Sequence, residues 1–166
     1  MATGIELLSP LLRNAYINEP PPPLSAPSEG ENLIADYASL GLTLGRHPLA
    51  LLRRRLARMR LATAKELRDL SHGQPARTAG IVTCRQRPGT AKGVVFVTLE
   101  DETGYTNVVV WNNLVEKQRR ELLNSSLLGV YGEIQREGEV VHLVAHHLVD
   151  HSGLLGRLVM ASRDFH

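Results

Sequence analysis

The chain has 166 residues, 43% of them hydrophobic, which is enough for one ordinary core with appendages. Lys and Arg number 19 against 17 Asp and Glu, a formal charge of +2, so any basic surface must come from distribution rather than excess. A lone cysteine, Cys84, excludes an internal disulfide and a Cys-rich zinc module, and no run approaches the ~18 apolar residues that span a bilayer. With no secretory pattern over residues 1–10 either, a soluble cytoplasmic protein without a membrane partner is expected.

Residues 1–30 close on EPPPPLSAPSEG, where Pro20 to Pro23 hold the backbone extended and remove amide donors, so a linker or tail is expected there. A helical segment is expected over 31–74. Leu33, Ile34, Tyr37 and Leu40 recur at three- and four-residue spacing, and Gly41 can end that helix in a left-handed cap. Pro48 suits the first turn of a second helix with Leu49, Leu52, Leu56 and Met59 on one face. Arg46, Arg53, Arg54, Arg55, Arg58 and Arg60 occupy the rest, with no acid until Glu66; a phosphate-neutralising surface and a merely solvated face both stand. Thr63 and Glu66 have capping-box spacing, which predicts a third short helix in TAKELRDL.

Beyond Pro75 the texture changes to short β-branched runs at regular spacing. Five strands are predicted, at about Arg77 to Arg87, Gly93 to Glu100, Tyr105 to Trp111, Leu127 to Arg136 and Glu139 to Val149. The second and third form a hairpin, because Asp101 to Gly104 is turn chemistry between alternating runs. One helix, in NNLVEKQRRELLNSS, interrupts the series, and a last hairpin turns at Glu137-Gly138. Three strands, a helix and a hairpin is the order of the oligonucleotide-binding fold, so a mainly β protein is expected: a five-stranded barrel over 75–151 preceded by short helices. The tail, 152–166, should add about one helical turn packed on the barrel through Leu154, Leu155 and Leu158, then a polar end.

Such a barrel binds nucleic acid on the outer face of its second and third strands, with cations for phosphates and aromatics for bases. If Val82 and Cys84 point inward, Arg85 and Arg87 point outward, and Lys92 closes the first loop. Val95, Val97 and Leu99 inward put Phe96 outward, where it either stacks on bases or lies under a helix from the N-terminal segment. Asn107 argues that Val109 and Trp111 share its outer face, although Trp111 could pack under the following helix. The candidate nucleic-acid contacts are therefore Arg85, Arg87, Lys92, Phe96, Asn107 and Trp111.

Catalysis finds no footing. Turn acids such as Asp101 more often bond local amides than metals. His142 and His146 share strand parity while His147 does not, so no three of His142, His146, His147 and His151 are arranged as zinc ligands. Cys84 has no base beside it, and no Gly-rich phosphate loop is present. No catalytic residue, metal or cofactor is expected.

The runs GLTLGRHPLALLRRRL, AGIVTCRQRPGTAKGVVFVTLEDETGYTNVVVW and GEIQREGEVVHLVAHHLVDHSGLL, with the ending SRDFH, closely resemble the C-terminal part of bacterial error-prone DNA polymerases. These are translesion relatives of the replicative polymerase III alpha subunit, and the resemblance spans roughly Glu31 to His166. It implies a role in damage-induced (SOS), mutagenic DNA replication and repair, with this part a nucleic-acid-binding barrel behind the catalytic body. The family's palm, fingers and histidinol-phosphatase-like domain cannot fit in 166 residues, so this chain alone is not expected to be an enzyme. Single-stranded DNA is the expected partner. Tethering a polymerase to translesion or replication accessory proteins, and binding RNA as an anticodon-type barrel, are the alternatives.

Overall fold

In the computed structural model, which describes residues 45–90 and 92–163, the chain starts with two helices, α1 (Pro48–Arg58) and α2 (Ala64–Arg68). Both begin for the expected reasons. His47 Nδ1 accepts from the Leu49 amide, and Pro48 stands where its missing N–H costs nothing. Thr63 and Glu66 complete the reciprocal capping box. The helix expected at Leu33 to Leu40 and the proline tetrad lie outside the described residues.

Five strands follow: β1 (Pro75–Gln86), β2 (Val95–Asp101), β3 (Gly104–Val110), β4 (Leu127–Glu137) and β5 (Val140–Asp150). They close into a barrel in the order β1-β2-β3-β5-β4. Every neighbouring pair is antiparallel except β3 and β5, which run parallel with Asn107 opposite His142 and Val109 opposite Val144. Strand β1 serves both sides of the barrel, pairing β4 from Pro75 to Ile81 and β2 from Ile81 to Gln86. Gly80 sits where it changes partner; a Cβ there would lie 2.7 Å from the Leu99 Cβ and 3.1 Å from the Glu100 carbonyl oxygen.

Alternation fills the interior as expected, with Val95, Val97, Leu99, Val108, Val110, Ile134 and Leu143 all buried in one cluster. The segment between β3 and β4 departs from the single helix expected. It is two six-residue helices, α3 (Asn112–Lys117) and α4 (Arg119–Asn124), broken at Gln118 with φ −122° and ψ 40°. The break has a use: the Gln118 amide donates to the Leu148 carbonyl at 2.9 Å and its oxygen accepts from the Leu148 N–H at 2.7 Å. One side chain thereby completes the backbone pairing of a β5 residue, so the carboxamide must face the strand and the helix cannot run on.

The C-terminal tail also differs, forming a 12-residue helix, α5 (Ser152–Arg163), instead of about one turn. Asp150 Oδ1 accepts from the Ser152 amide, and the Ser152 hydroxyl accepts from the Ser126 N–H, which fixes the helix start against β4. Leu155 then joins Leu49 and Leu56 of α1 over Ala79, Ile81 and Leu127, a second core on the outside of β1 and β4. Each of these fully buried leucines contributes about 1.5–3 kcal/mol by removal from water.

Candidate nucleic-acid interface

The second core covers the outer side of β1 and part of β4. Among the described residues α1 and α5 lie over β1 and β4, α2 packs on β3 and β1, and α3 and α4 pack on β5, while Phe96 on β2 is 38% exposed. The cross-strand register sets its neighbours: Gln86 on β1, Val109 on β3 and, through the parallel pairing, Val144 on β5 form one row. Val109, expected outward, faces outward yet is only 8% exposed, because Phe96 and Val144 flank it. The adjacent row on this face is Cys84, Thr98, Asn107 and His142, with Asn107 exposed.

Trp111 follows β3 directly and is the N-cap of α3, offering no side-chain cap bond while its carbonyl accepts from the Leu114 and Val115 amides. The indole does not tuck under that helix; it is 53% exposed and lines an open groove of about 860 Å³ with Lys117, Val144 and His146. Arg87 and Lys92, at either end of the β1–β2 loop, are exposed, and Lys92 takes a left-handed φ of 42°.

Arg85 is the correction. The pairing of β1 with β2 slips between Val82 and Cys84, and this bulge reverses the parity of everything after it. Arg85 now lies opposite the inward-facing Val97, and Cys84 opposite Thr98 on the outer face, the reverse of the expected arrangement. The half-buried guanidinium turns to the end of α4, donating from Nε to the Leu122 carbonyl at 2.7 Å and from Nη2 to the Ser125 carbonyl at 2.5 Å. Burial lowers its pKa from the ordinary arginine value, though arginine stays charged in proteins. Its donors are spent on structure, unlike those of Arg87.

The acidic turn behaves as local-amide chemistry. Asp101, 4% exposed, accepts through Oδ1 from the Thr103 amide, the Thr103 hydroxyl and the Gly104 amide, and through Oδ2 from the Ala64 amide at 2.7 Å. Arg53 binds Glu102 through two nitrogens and approaches Asp101 at 3.7 Å, so this arginine leaves the basic face of α1. Burial lowers the Arg53 pKa, but the Glu102 hydrogen bond and charge outweigh it and the net shift is upward. Arg54, Arg55 and Arg58 remain exposed.

The histidines scatter. His142 stands beside Asn107 with Nδ1 buried and unbonded. His151 lies against Gly129, where burial lowers its pKa despite Asp150 next to it. His146 and His147 both face outward, although consecutive strand residues should oppose each other, because a second bulge skips His146 between the pairs Tyr131 with His147 and Gly132 with Ala145. His142 and His146 are therefore neighbours of the candidate face that sequence reasoning set aside. The shared parity of His142 and His146 along β5 was the only local hint at either, and it could not show that His147 turns outward as well.

A closed five-stranded barrel of this order, with a helical connection between its third and fourth strands, is an OB-fold. The family described as an OB-fold nucleic acid binding domain, tRNA anticodon type, matches residues 76–150. The chain is 61% identical over 155 residues to the error-prone DNA polymerase of Aromatoleum aromaticum, covering 93% of this chain and 14% of that protein. To the error-prone DNA polymerase of Dechloromonas aromatica it is 67% identical over 143 residues, covering 86% and 14%. Asparaginyl-tRNA synthetase from Pyrococcus horikoshii, solved with asparaginyl-adenylate, superposes with a TM-score of 0.46 at 20% identity, covering 55% of this chain and 22% of that one.

The chain is thus a homologue of the C-terminal region of error-prone DNA polymerases, and it spans about 14% of the length of these curated relatives. The family model within that match is an OB-fold nucleic acid binding domain over residues 76–150. Among the described residues no helix is long and apolar enough to cross a membrane.

Proposed function

We propose that the barrel binds single-stranded DNA on the outer face of β2 and β3, as the C-terminal module of a polymerase that copies damaged templates in mutagenic, damage-induced synthesis. The observation that carries this reading is the pair of exposed aromatics, Phe96 on β2 and Trp111 just past the end of β3. Bases stack on such rings whatever their sequence, while Arg87 and Lys92 neutralise phosphates at the rim. Asn107, with His142 beside it, offers hydrogen bonds between the aromatic positions. The relatives' name, error-prone DNA polymerase, supports DNA as the ligand and lesion copying as the setting.

Titration of a fluorescent oligonucleotide at several salt concentrations tests the proposal. Arg87→Ala and Lys92→Ala should each reduce the slope of log affinity against log salt by about 0.7, the single-strand value per phosphate contact. Phe96→Ala should weaken binding by about 1–3 kcal/mol. Unchanged slopes together with unchanged affinity in Phe96→Ala would overturn the reading. A matched RNA strand that binds more tightly than the DNA would move the function to RNA.

A second reading is a protein-docking module, favoured by Leu51 on α1 and Met160 on α5, 38% and 66% exposed, with Arg54, Arg55 and Arg58 also exposed on α1. Accessory proteins of replication or translesion synthesis would be its partners. Leu51→Glu with Met160→Glu should abolish capture of such a partner and leave oligonucleotide binding intact.

A further inference from the structure

The bulge that turns out both His146 and His147 is costly to build. It requires Gly132, where a Cβ would stand 1.9 Å from the Val144 carbonyl oxygen, so β4 and β5 approach too closely there for any side chain. Bulges of this kind re-aim side chains. Here the re-aimed residue, His146, lines two grooves at once: the Trp111 and Lys117 groove already described, and a second of about 580 Å³ bordered by Arg60, Gln74, Arg77 and Tyr131.

This second groove has an apolar floor of Ala62, Leu70, Pro75 and Ala76 and a cationic and aromatic rim. Register places Arg77, Tyr131 and His147 in one row across β1, β4 and β5. The Arg77 guanidinium lies 5.4 Å from the Tyr131 ring centre, and the His147 ring lies 5.9 Å from it at 59°. Arg60 joins them from the end of α1 with φ 60°, a left-handed conformation that favours glycine and costs an arginine about 1 kcal/mol or more. Neither arginine forms an ion pair among the described residues, and Glu133 at the rim leans toward Gly73. A cap position where glycine would be more stable, filled instead by a free cation beside a second cation and an aromatic, points to an anionic ligand with flat rings.

We propose that single-stranded nucleic acid leaving the Phe96 and Trp111 face continues over His146 into this groove, where Arg60 and Arg77 take phosphates and Tyr131 with His147 supports a base. The inference rests on the proposed function for its first half only. Phe96 and Tyr131 are separated by β3 and β5, three strand spacings or roughly 14 Å, which a strand within the ~4–16 nucleotides of one OB-fold can cross.

The whole chain is titrated with thymidine oligonucleotides of about 5 and about 15 residues, lengths chosen to fill one face or both. For Arg60→Gly with Arg77→Gln the short strand should bind within about twofold of the parent. The long strand should lose on the order of tenfold, with a salt slope smaller by about 1.4, two single-strand contacts. Arg77→Lys should restore one of them. Arg60→Gly removes the left-handed strain and should melt no lower than the parent, so a loss of binding in that variant is not a loss of fold. Equal affinity and slope for the long strand in the double variant, with Phe96→Ala still weakening both lengths, would overturn the second surface and leave the first intact. If Phe96→Ala changes nothing while the double variant weakens both lengths, the proposed face on β2 and β3 fails, and with it the continuous path.

Discussion

Replacement of Arg85 separates a structural arginine from a binding one more sharply than any other substitution in this barrel. Its guanidinium closes the C-terminal end of α4, where the Leu122 and Ser125 carbonyls lack helical partners and the helix dipole favours a cation. Hydrogen bonds to charged groups contribute about 1.5–3 kcal/mol each, and partial solvent access to Arg85 puts the pair at the lower end. Arg85→Ala should therefore cost about 2–4 kcal/mol, read as a lower urea midpoint at constant m-value, with the melting temperature falling by about 5–15 °C. Arg85→Lys, which reaches one carbonyl, should recover roughly half of the loss. Measured on the same samples, the salt slope of oligonucleotide binding should not move. Unchanged stability with a slope reduced by about 0.7 would refute the assignment and return Arg85 to the DNA face.

Gly132→Ala should destabilise the chain by about 3 kcal/mol, because the new methyl meets the Val144 carbonyl oxygen and backbone cannot yield as a flexible side chain would; thermal melting reads it directly. His151 supplies a pH dependence. Burial depresses its folded pKa, so between that value and about 6.5 the unfolded chain holds the extra proton: its contribution is complete above about pH 6.5 and is lost as pH falls through the folded value. Urea midpoints followed across this range should decline for the parent and decline less for His151→Gln.

Much of the fold was legible because local and global preferences agree. Thr63 and Glu66 marked the start of α2, Asp101 and Gly104 the hairpin, and the period of two in Val95, Val97 and Leu99 the core face of β2. The failures share one cause: a pattern read along a strand assumes an unbroken register. A single slip before Cys84 reversed Arg85, and another at His146 turned two successive histidines outward. The pairing of β3 with β5, which sets His142 beside Asn107, joins residues far apart in the chain and leaves no local trace. The tail looked like one turn because its apolar spacing is short, while its length as α5 depends on a surface supplied by α1. Of the site, the exposure of Phe96 was readable from alternation and that of Lys92 from loop position, whereas Arg87, placed outward by the alternation that misplaced Arg85, is exposed because it lies past the end of β1.

The buried carboxylate of Asp101 has a bearing on how this protein can be divided. It holds the β2–β3 turn with one oxygen and the first amide of α2 with the other, and Arg53 of α1 stands behind it. A fragment cut at Pro75, where the barrel begins, would keep the turn's bonds to Oδ1 but lose the Ala64 amide and Arg53 at Oδ2, a cost of about 1–3 kcal/mol. A piece that keeps these contacts begins before the barrel, at or ahead of α1. The two strands that meet at this turn carry Phe96 and Asn107 farther along, so a shorter excision would loosen the very platform it was meant to isolate.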